Sequence, residues 1–336
     1  MRNKKPLFEI TETVLSDAIA ISELVGKTGS TQQFSSDPVL RRENRIRTIY
    51  SSLAMEQNAL SLEQVTAVLS GKHVFAPPKD IAEVKNAYEV YEHLTELNPY
   101  SIDDLLFAHH IMMQGLVRED GEFRSCPVGV VDSKVNVLHF GTQPQDISTQ
   151  MEELFQWTES SPLPILIKSC VFHYEFEVIH PFADGNGRME RLWHTLLLSR
   201  WNSLFAWLPV ESTIQDHQPE YYAAFNQSNA EGKGTAFLSF MLGVIKEALE
   251  EAVEEQSAAA SALQSKEEIR WTKIENFLKA HSLIRNADVQ NLFDVSPATA
   301  NRILSALVKE GKITKVRNGS YWAYRLSDGK YVIARR

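Results

Sequence analysis

Cysteine is scarce in this chain: only Cys126 and Cys170 occur in 336 residues. Two thiols so placed make neither a disulfide framework nor a metal-binding pattern. Cys170 lies in the apolar run Ile165–Phe172, where a thiol packs as a small hydrophobe. No stretch approaches the ~20 apolar residues of a membrane span, so no membrane partner is expected. The amino-terminal MRNKKPLFEITETV lacks the apolar core of a signal peptide. A cytoplasmic location fits these absences. Internal repeats are absent too. The apolar and charged fractions, 43% and 23%, are those of a globular protein with enough chain for two domains.

What the chain does have is a dense run, His180-Pro181-Phe182-Ala183-Asp184-Gly185-Asn186-Gly187-Arg188-Met189-Glu190-Arg191. Gly185 and Gly187 let the main chain turn tightly and approach a ligand closely. The apolar residues that follow (Leu192, Trp193, Leu196, Leu197) recur at helical spacing, so the turn opens a helix. Free N–H groups and the dipole at a helix start attract anions. Arg188 and Arg191 share a helix face and can fork onto one phosphate. Asp184 beside that anion site suits Mg²⁺, which takes one or two carboxylates plus substrate phosphates. His180 titrates near neutrality and can serve as general base toward a hydroxyl. Singly, a His before Pro or a Gly-x-Gly turn is ordinary. Jointly they answer no packing need, Phe182 excepted, whose expected role is to anchor the loop.

These residues match, without a gap, the signature His-x-Phe-x-(Asp/Glu)-Gly-Asn-Gly-Arg-x-x-Arg of the Fic family, and the chain resembles a Fic-domain protein adenylyltransferase. The resemblance implies transfer of AMP from ATP to a Ser, Thr or Tyr hydroxyl of a target protein, and possible self-modification. His180 would be the base, and Asp184 would hold Mg²⁺. Gly185, Asn186, Gly187 and Arg188 would cradle the phosphates, and Arg191 would reach the γ-phosphate. Relatives of the Doc type depart from the second glycine and transfer phosphate; Gly187 is kept here. Upstream, Ser52-Leu53-Ala54-Met55-Glu56-Gln57-Asn58 resembles the family's inhibitory helix, (Ser/Thr)-x-x-x-Glu-(Gly/Asn), with Gln57 where Gly or Asn is usual. Glu56, with Ser52 in the same motif, would pair with Arg191 and displace the γ-phosphate. Tyr221 and Asn229 resemble the segment bordering adenine and ribose, although a Tyr pair on a helix also suits core packing.

Around the motif, Gly121-Glu122-Phe123-Arg124 precedes two β-like runs, Cys126–Val131 and Val135–Phe140, joined by Asp132-Ser133-Lys134. In the family such a hairpin docks the target segment by strand addition, so the target is expected on 125–140; a plain structural hairpin fits the same pattern. Gly141-Thr142-Gln143-Pro144 replaces a frequent Pro-Pro pair.

The organisation expected is mainly α: a lead over 1–36, a Fic-type helical bundle with a small hairpin over 37–250 (its inhibitory helix at about 40–58), a linker or helix extension over 251–265, and a further domain over 266–336. Helices are expected near 79–98, 101–113, 151–157, 163–178, 187–202, 218–230 and 235–260. Ser61-Leu62-Glu63-Gln64 is a capping-box start. Residues 266–336 carry 14 Lys and Arg against 7 Asp and Glu, whereas the preceding residues carry 20 against 36. Their pattern, three helices and then a hairpin turning at Asn318-Gly319, resembles a winged helix-turn-helix. DNA is a possible partner through 296–320, with Thr299, Asn301, Arg302 and Ser305 toward the groove and Lys315 and Arg317 toward phosphates; such modules also bind proteins. A homodimer is compatible with this reading. Two rival functions keep the same fold: a nucleotide-sensing DNA-binding regulator, and a Glu56-dependent deAMPylase.

Overall fold

The computed structural model describes residues 6–29, 37–131, 137–319 and 321–327. The hairpin tip Asp132-Ser133-Lys134 and Val135 lie outside them, as do parts of the lead, Ser320 and the residues after 327. The chain divides into two compact units, Met1–Val253 and Glu254–Arg336.

The first unit is helical. It comprises α1 Glu12–Gly29, α2 Pro38–Met55, α3 Leu62–Leu69, α4 Pro78–Glu92, α5 Ile102–Met113, the strands β1 Gly129–Val131 and β2 Val137–Phe140, α6 Pro144–Ser160, α7 Ile165–Ile179 and α8 Asn186–Trp201. A 3₁₀ turn Ser203–Ala206, α9 Val210–Asp216, α10 Gln218–Glu231 and the start of α11 Thr235–His281 complete it. Caps fix several starts. Asp37 accepts from Val39 N (2.8 Å) ahead of the first-turn Pro38, Ser61 and Gln64 cap each other reciprocally, and Ser101 accepts from Asp104 N.

Helices α7 and α8 sit between two apolar clusters. Phe172, Phe176, Leu192, Trp193, Leu196 and Leu197 face one; Ile167, Cys170, Tyr174 and Leu198 face the other, with Phe225, Phe237 and Met241. Being apolar on both sides, they are the buried helices of the bundle, and the motif runs across the loop that joins them. Phe182 anchors that loop at 0% exposure, stacked on His109 with ring centroids 3.7 Å apart. Such burial stabilises by about 1.5–3 kcal/mol.

The lead over 1–36, expected to be irregular or partly helical, carries helix α1. Residues 12–29 are one helix, and Val14, Ile21 and Val25, on one stripe of it, are buried in the second cluster. Helix α6 starts at Pro144, seven residues before the expected start, because its polar first turns mask the period. The 3₁₀ turn and α9 have no counterpart among the expected elements.

In the second unit the end of α11 is followed by α12 Asn286–Phe293, α13 Pro297–Lys309 and the antiparallel pair β3 Ile313–Asn318 and β4 Tyr321–Leu326. The boundary between the units falls within α11, so the stretch 251–265 is helix throughout. Ile284 pairs with Tyr324 as a short third bridge. Ile274, Leu278, Ile284, Val289, Leu304 and Ile313 form the core of this unit.

Candidate functional site

The turn between α7 and α8 is built from left-handed residues. His180 ends α7 at φ 52°, and Gly185 caps α8 at φ 83°. A Cβ on Gly185 would lie 2.6 Å from Met113 Sδ. The loop is clamped from within: Asn186 Oδ1 accepts from Phe182 N, and Nδ2 donates to Phe182 O, both at 2.8 Å. The Asn186 side chain, expected among the phosphate-cradling groups, is therefore buried and spent on closing the turn. Its backbone N–H stays at the head of α8.

Asp184 is half-exposed, and both of its contacts fall on Oδ1, from Gly185 N (2.6 Å) and Arg188 Nη2 (3.1 Å). Oδ2 remains to take a cation. Among the described residues no group of three or more His, Cys, Asp or Glu side chains could hold a metal by itself. A carboxylate completed by substrate phosphates is the arrangement that fits these residues. Behind it, His109 Nε2 lies 3.1 Å from Asp184 O, and Gly121 N donates to His109 Nδ1. The Gly121 donor makes Nδ1 an acceptor, so Nε2 carries the hydrogen. Burial pushes the His109 pKa down to about 4, which keeps that ring neutral.

The two motif arginines are buried and engaged. Arg188 meets Glu83 (3.4 Å) as well as Asp184, and Glu83 in turn accepts from Asn58 Nδ2 at 2.8 Å. Arg191, 2% exposed, donates through Nε to Ser52 Oγ (3.0 Å), and through Nη2 to Ser52 O (3.0 Å) and Glu56 Oε1 (2.6 Å). Burial disfavours its charge, but Glu56 and Glu190 more than offset this and raise its pKa above the ordinary arginine value. Glu56 Oε1 also fills the space over Gly187, where a Cβ would lie 2.2 Å from it. Ser52, Glu56, Gly187 and Arg191 thus meet across 135 residues of sequence. Gln57, next to Glu56, stands at φ 66°. That left-handed position suits the Gly or Asn usual there in relatives.

Burial opposes charge on His180, but Glu177, whose Oε2 is 3.4 Å from Nδ1, raises its pKa above the ordinary histidine value. Arg124, 2% exposed, donates to the carbonyls of His180 (2.7 Å), Cys126 (2.7 Å) and Thr142 (2.5 Å). It thereby ties the base of the β1–β2 hairpin to the His180 turn.

Tyr221 and Asn229 hydrogen-bond to partners other than the expected nucleotide-binding groups. Tyr221 is buried, and its hydroxyl donates to Glu190 Oε1 (2.8 Å). Asn229 Oδ1 accepts from Tyr174 OH (3.0 Å). Tyr221 feels the charge of Arg191, and the half-exposed Tyr222 beside it feels the charges of both Arg191 and Glu56. Residues the sequence reading did not single out are Glu83, His109, Glu177 and Glu190. Only Glu177 carried a local signal, lying one helical turn before His180.

Comparison with known proteins places this geometry. The Fic/DOC family profile matches residues 99–198, and that of the DeoR-like helix-turn-helix domain matches 270–323. The chain is 30% identical over 200 residues to a protein adenylyltransferase Fic of Nematostella vectensis, covering 56% of this chain and 44% of that protein. It is 30% identical over 204 residues to protein adenylyltransferase fic-1 of Caenorhabditis elegans, covering 56% and 38%. The chain spans less than half the length of these relatives. A crystal structure of a Fic family protein from Desulfovibrio desulfuricans matches with 36% identity and a TM-score of 0.75, covering 97% of this chain and all of that one. With the motif turn between two buried helices and likeness along nearly its whole length, this chain belongs to the Fic family.

Proposed function

We propose that the chain transfers AMP from ATP to a Ser, Thr or Tyr hydroxyl of a protein, and that Glu56 restrains the reaction. The observation carrying this reading is the meeting of His180, the head of α8 and the Glu56–Arg191 pair in one turn. Relatives named as protein adenylyltransferases support it. The hydroxyl oxygen would attack the α-phosphorus while its proton passes to His180, and the bond to the β-phosphate would break with loss of pyrophosphate. Backbone N–H groups at the start of α8 and the Arg188 guanidinium would face the phosphates. Charge on the leaving pyrophosphate would be offset by Mg²⁺ held between Asp184 and the phosphates.

In this reading Arg191 is the γ-phosphate ligand, and Glu56 holds its place. Glu56→Gly, incubated with ATP and Mg²⁺ and analysed by mass spectrometry, should gain adenylyl groups well above wild type. Equal incorporation in the two proteins would remove Glu56 from regulation, and absence of any adduct on the chain or on lysate proteins would remove the transfer itself. A second reading is favoured by the seating of the Glu56 carboxylate over Gly187, within the motif: the same group could activate water and remove AMP. AMP release from a pre-modified target by wild type but not by Glu56→Gly would support it.

For the second unit we propose duplex DNA as partner, with Thr299, Arg302 and Ser305 of α13 toward the groove and Lys315 and Arg317 of β3 toward phosphates. Asn301 is the weaker candidate, because its Oδ1 accepts from Asn286 of α12 (2.7 Å).

A further inference from the structure

Both arginines at the head of α8 rest on carboxylates that arrive from upstream, Glu56 on Arg191 and Glu83 on Arg188. The transfer reaction gives Glu56 a task and leaves Glu83 none. Glu83 projects from α4, is 5% exposed, and uses both carboxyl oxygens. Oε1 accepts from Arg188 Nη1 (3.4 Å), with Lys79 Nζ at 3.7 Å, and Oε2 accepts from Asn58 Nδ2 (2.8 Å). Each of these partners is a donor, which suits a carboxylate. Among the described residues the other polar partner of Arg188 is Asp184, at 3.1 Å. Asp184 is 47% exposed and is the group expected to turn toward a cation, so Glu83 is the fixed one of the two.

Asn58 is just as fully engaged. Its Nδ2 also donates to Asp80 O (3.1 Å), and its Oδ1 accepts from Leu60 N (3.1 Å). It stands two residues past Glu56, and the turn between them is closed. Gln57 N donates to Ala54 O (3.0 Å) and Asn58 N to Leu53 O (3.1 Å), with Gln57 left-handed at φ 66°. That pair of bonds is the Schellman closure of a helix end. Asn58 and Glu56 are thereby held as one piece.

We propose that Glu83 is a positioning residue with two roles on one carboxylate: Oε1 sets the Arg188 guanidinium toward the phosphates, and Oε2 fastens Asn58, and through the closed turn Glu56, over Gly187. The restraint then has two points of attachment. Glu56 engages Arg191 directly, and Asn58 holds Glu56 in place from α4. The phosphate cradle and its restraint are referenced to the same residue. This inference rests on the AMP-transfer reading for what Arg188 and Glu56 act on; the fastening of the α2 end does not depend on it.

The two oxygens can be tested apart in the full chain. Asn58→Ala cuts the fastening and leaves Arg188 alone. In the wild-type background it should raise labelled-ATP incorporation by about tenfold, the equivalent of one hydrogen bond to a charged group. In the Glu56→Gly background it should change incorporation by less than about twofold, because no restraint is left to release. A damaged fold can only lower transfer, so a rise confined to the first background has no merely structural cause. Glu83→Gln removes the charge beside Arg188 and turns an NH₂ toward the Asn58 donor. In the Glu56→Gly background it should raise KM for ATP by about fivefold or more with kcat little changed, as expected for a group that grips ground and transition states alike. No rise with Asn58→Ala in wild type, or an equal rise in both backgrounds, would overturn the fastening. An unchanged KM in Glu83→Gln would overturn the positioning of Arg188. Hydrogen exchange gives a readout free of transfer: the Gln57 and Asn58 amides should exchange about tenfold faster in Asn58→Ala and in Glu83→Gln than in wild type. Unchanged exchange in both would again overturn the fastening. Should Glu83→Gln fail to fold, Glu83→Asp, which keeps the charge but retracts it, takes its place. Should no variant transfer AMP, Glu56→Gly included, while exchange quickens as expected, the transfer reading fails and the fastening by Glu83 stands.

Discussion

The motif turn and the β3–β4 hairpin both depend on basic residues, yet they hold them in opposite ways. At the turn, Arg124, Arg188 and Arg191 are buried, and each has named partners on more than one element. In the hairpin, Lys315 and Arg317 are exposed and rest 4.7 and 5.8 Å from the ring of Trp322, itself 55% exposed. A buried charge acts through fixed geometry and is costly to leave unpaired; an exposed one acts through a field that salt screens. The first arrangement suits chemistry on one small ligand, and the second suits a long polyanion.

The largest effect that could break this contrast is on transfer. His180→Ala in the Glu56→Gly background should lower labelled-ATP incorporation by about 10²- to 10⁴-fold, whereas Lys315→Ala should leave it unchanged. A comparable loss from the hairpin change would mean that the two regions are not separable. Next comes stability. Arg191→Met strands Glu56 and Glu190 and should cost about 3–5 kcal/mol in urea unfolding, while Arg317→Met should stay within about 0.5 kcal/mol. Similar shifts for the two would deny that burial sets the difference. The hairpin has its own signature in salt: if the second unit binds duplex DNA, the log–log salt slope should shrink by about 1 for each of Lys315→Ala and Arg317→Ala. A slope indifferent to both changes would leave the hairpin out of the contact. Smallest is Gln57→Gly. Relief of the left-handed strain should stabilise the protein by about 1 kcal/mol and lower basal incorporation, as a firmer end to α2 holds Glu56 in place. Higher incorporation would contradict the restraining role.

Much of the site could be read in one dimension because its parts are contiguous. Residues 180–191 carry their turn, helix start and arginines in a row, and Ser52 and Glu56 lie one helical turn apart. The second unit was legible for a similar reason: the Ser296-Pro297 cap and the Asn318-Gly319 turn are local signals, and both elements form where they predict. What could not be read depends on long-range burial. An asparagine among glycines looks like a phosphate ligand, and only the return of the chain onto Phe182 shows Asn186 closing the loop. Glu190 falls at a position the motif leaves open, and its burial depends on Tyr221 arriving from α10 thirty-one residues later. The lead helix α1 was obscured because its stripe of Val14, Ile21 and Val25 is sparse and gains meaning only against its partners in the second cluster.

The missing side chain at Gly187 has a wider consequence. The Glu56 oxygen stands where the first carbon of any substituent would go, 2.2 Å away. A methyl group there would evict the carboxylate and also press on Arg191 Nη1, 2.9 Å away. If the turn holds nucleotide and Glu56 restrains it, as proposed, loss of this glycine would alter both in a single step. Under that proposal the two traits are tied by geometry, and drift at this one position would not change one of them alone.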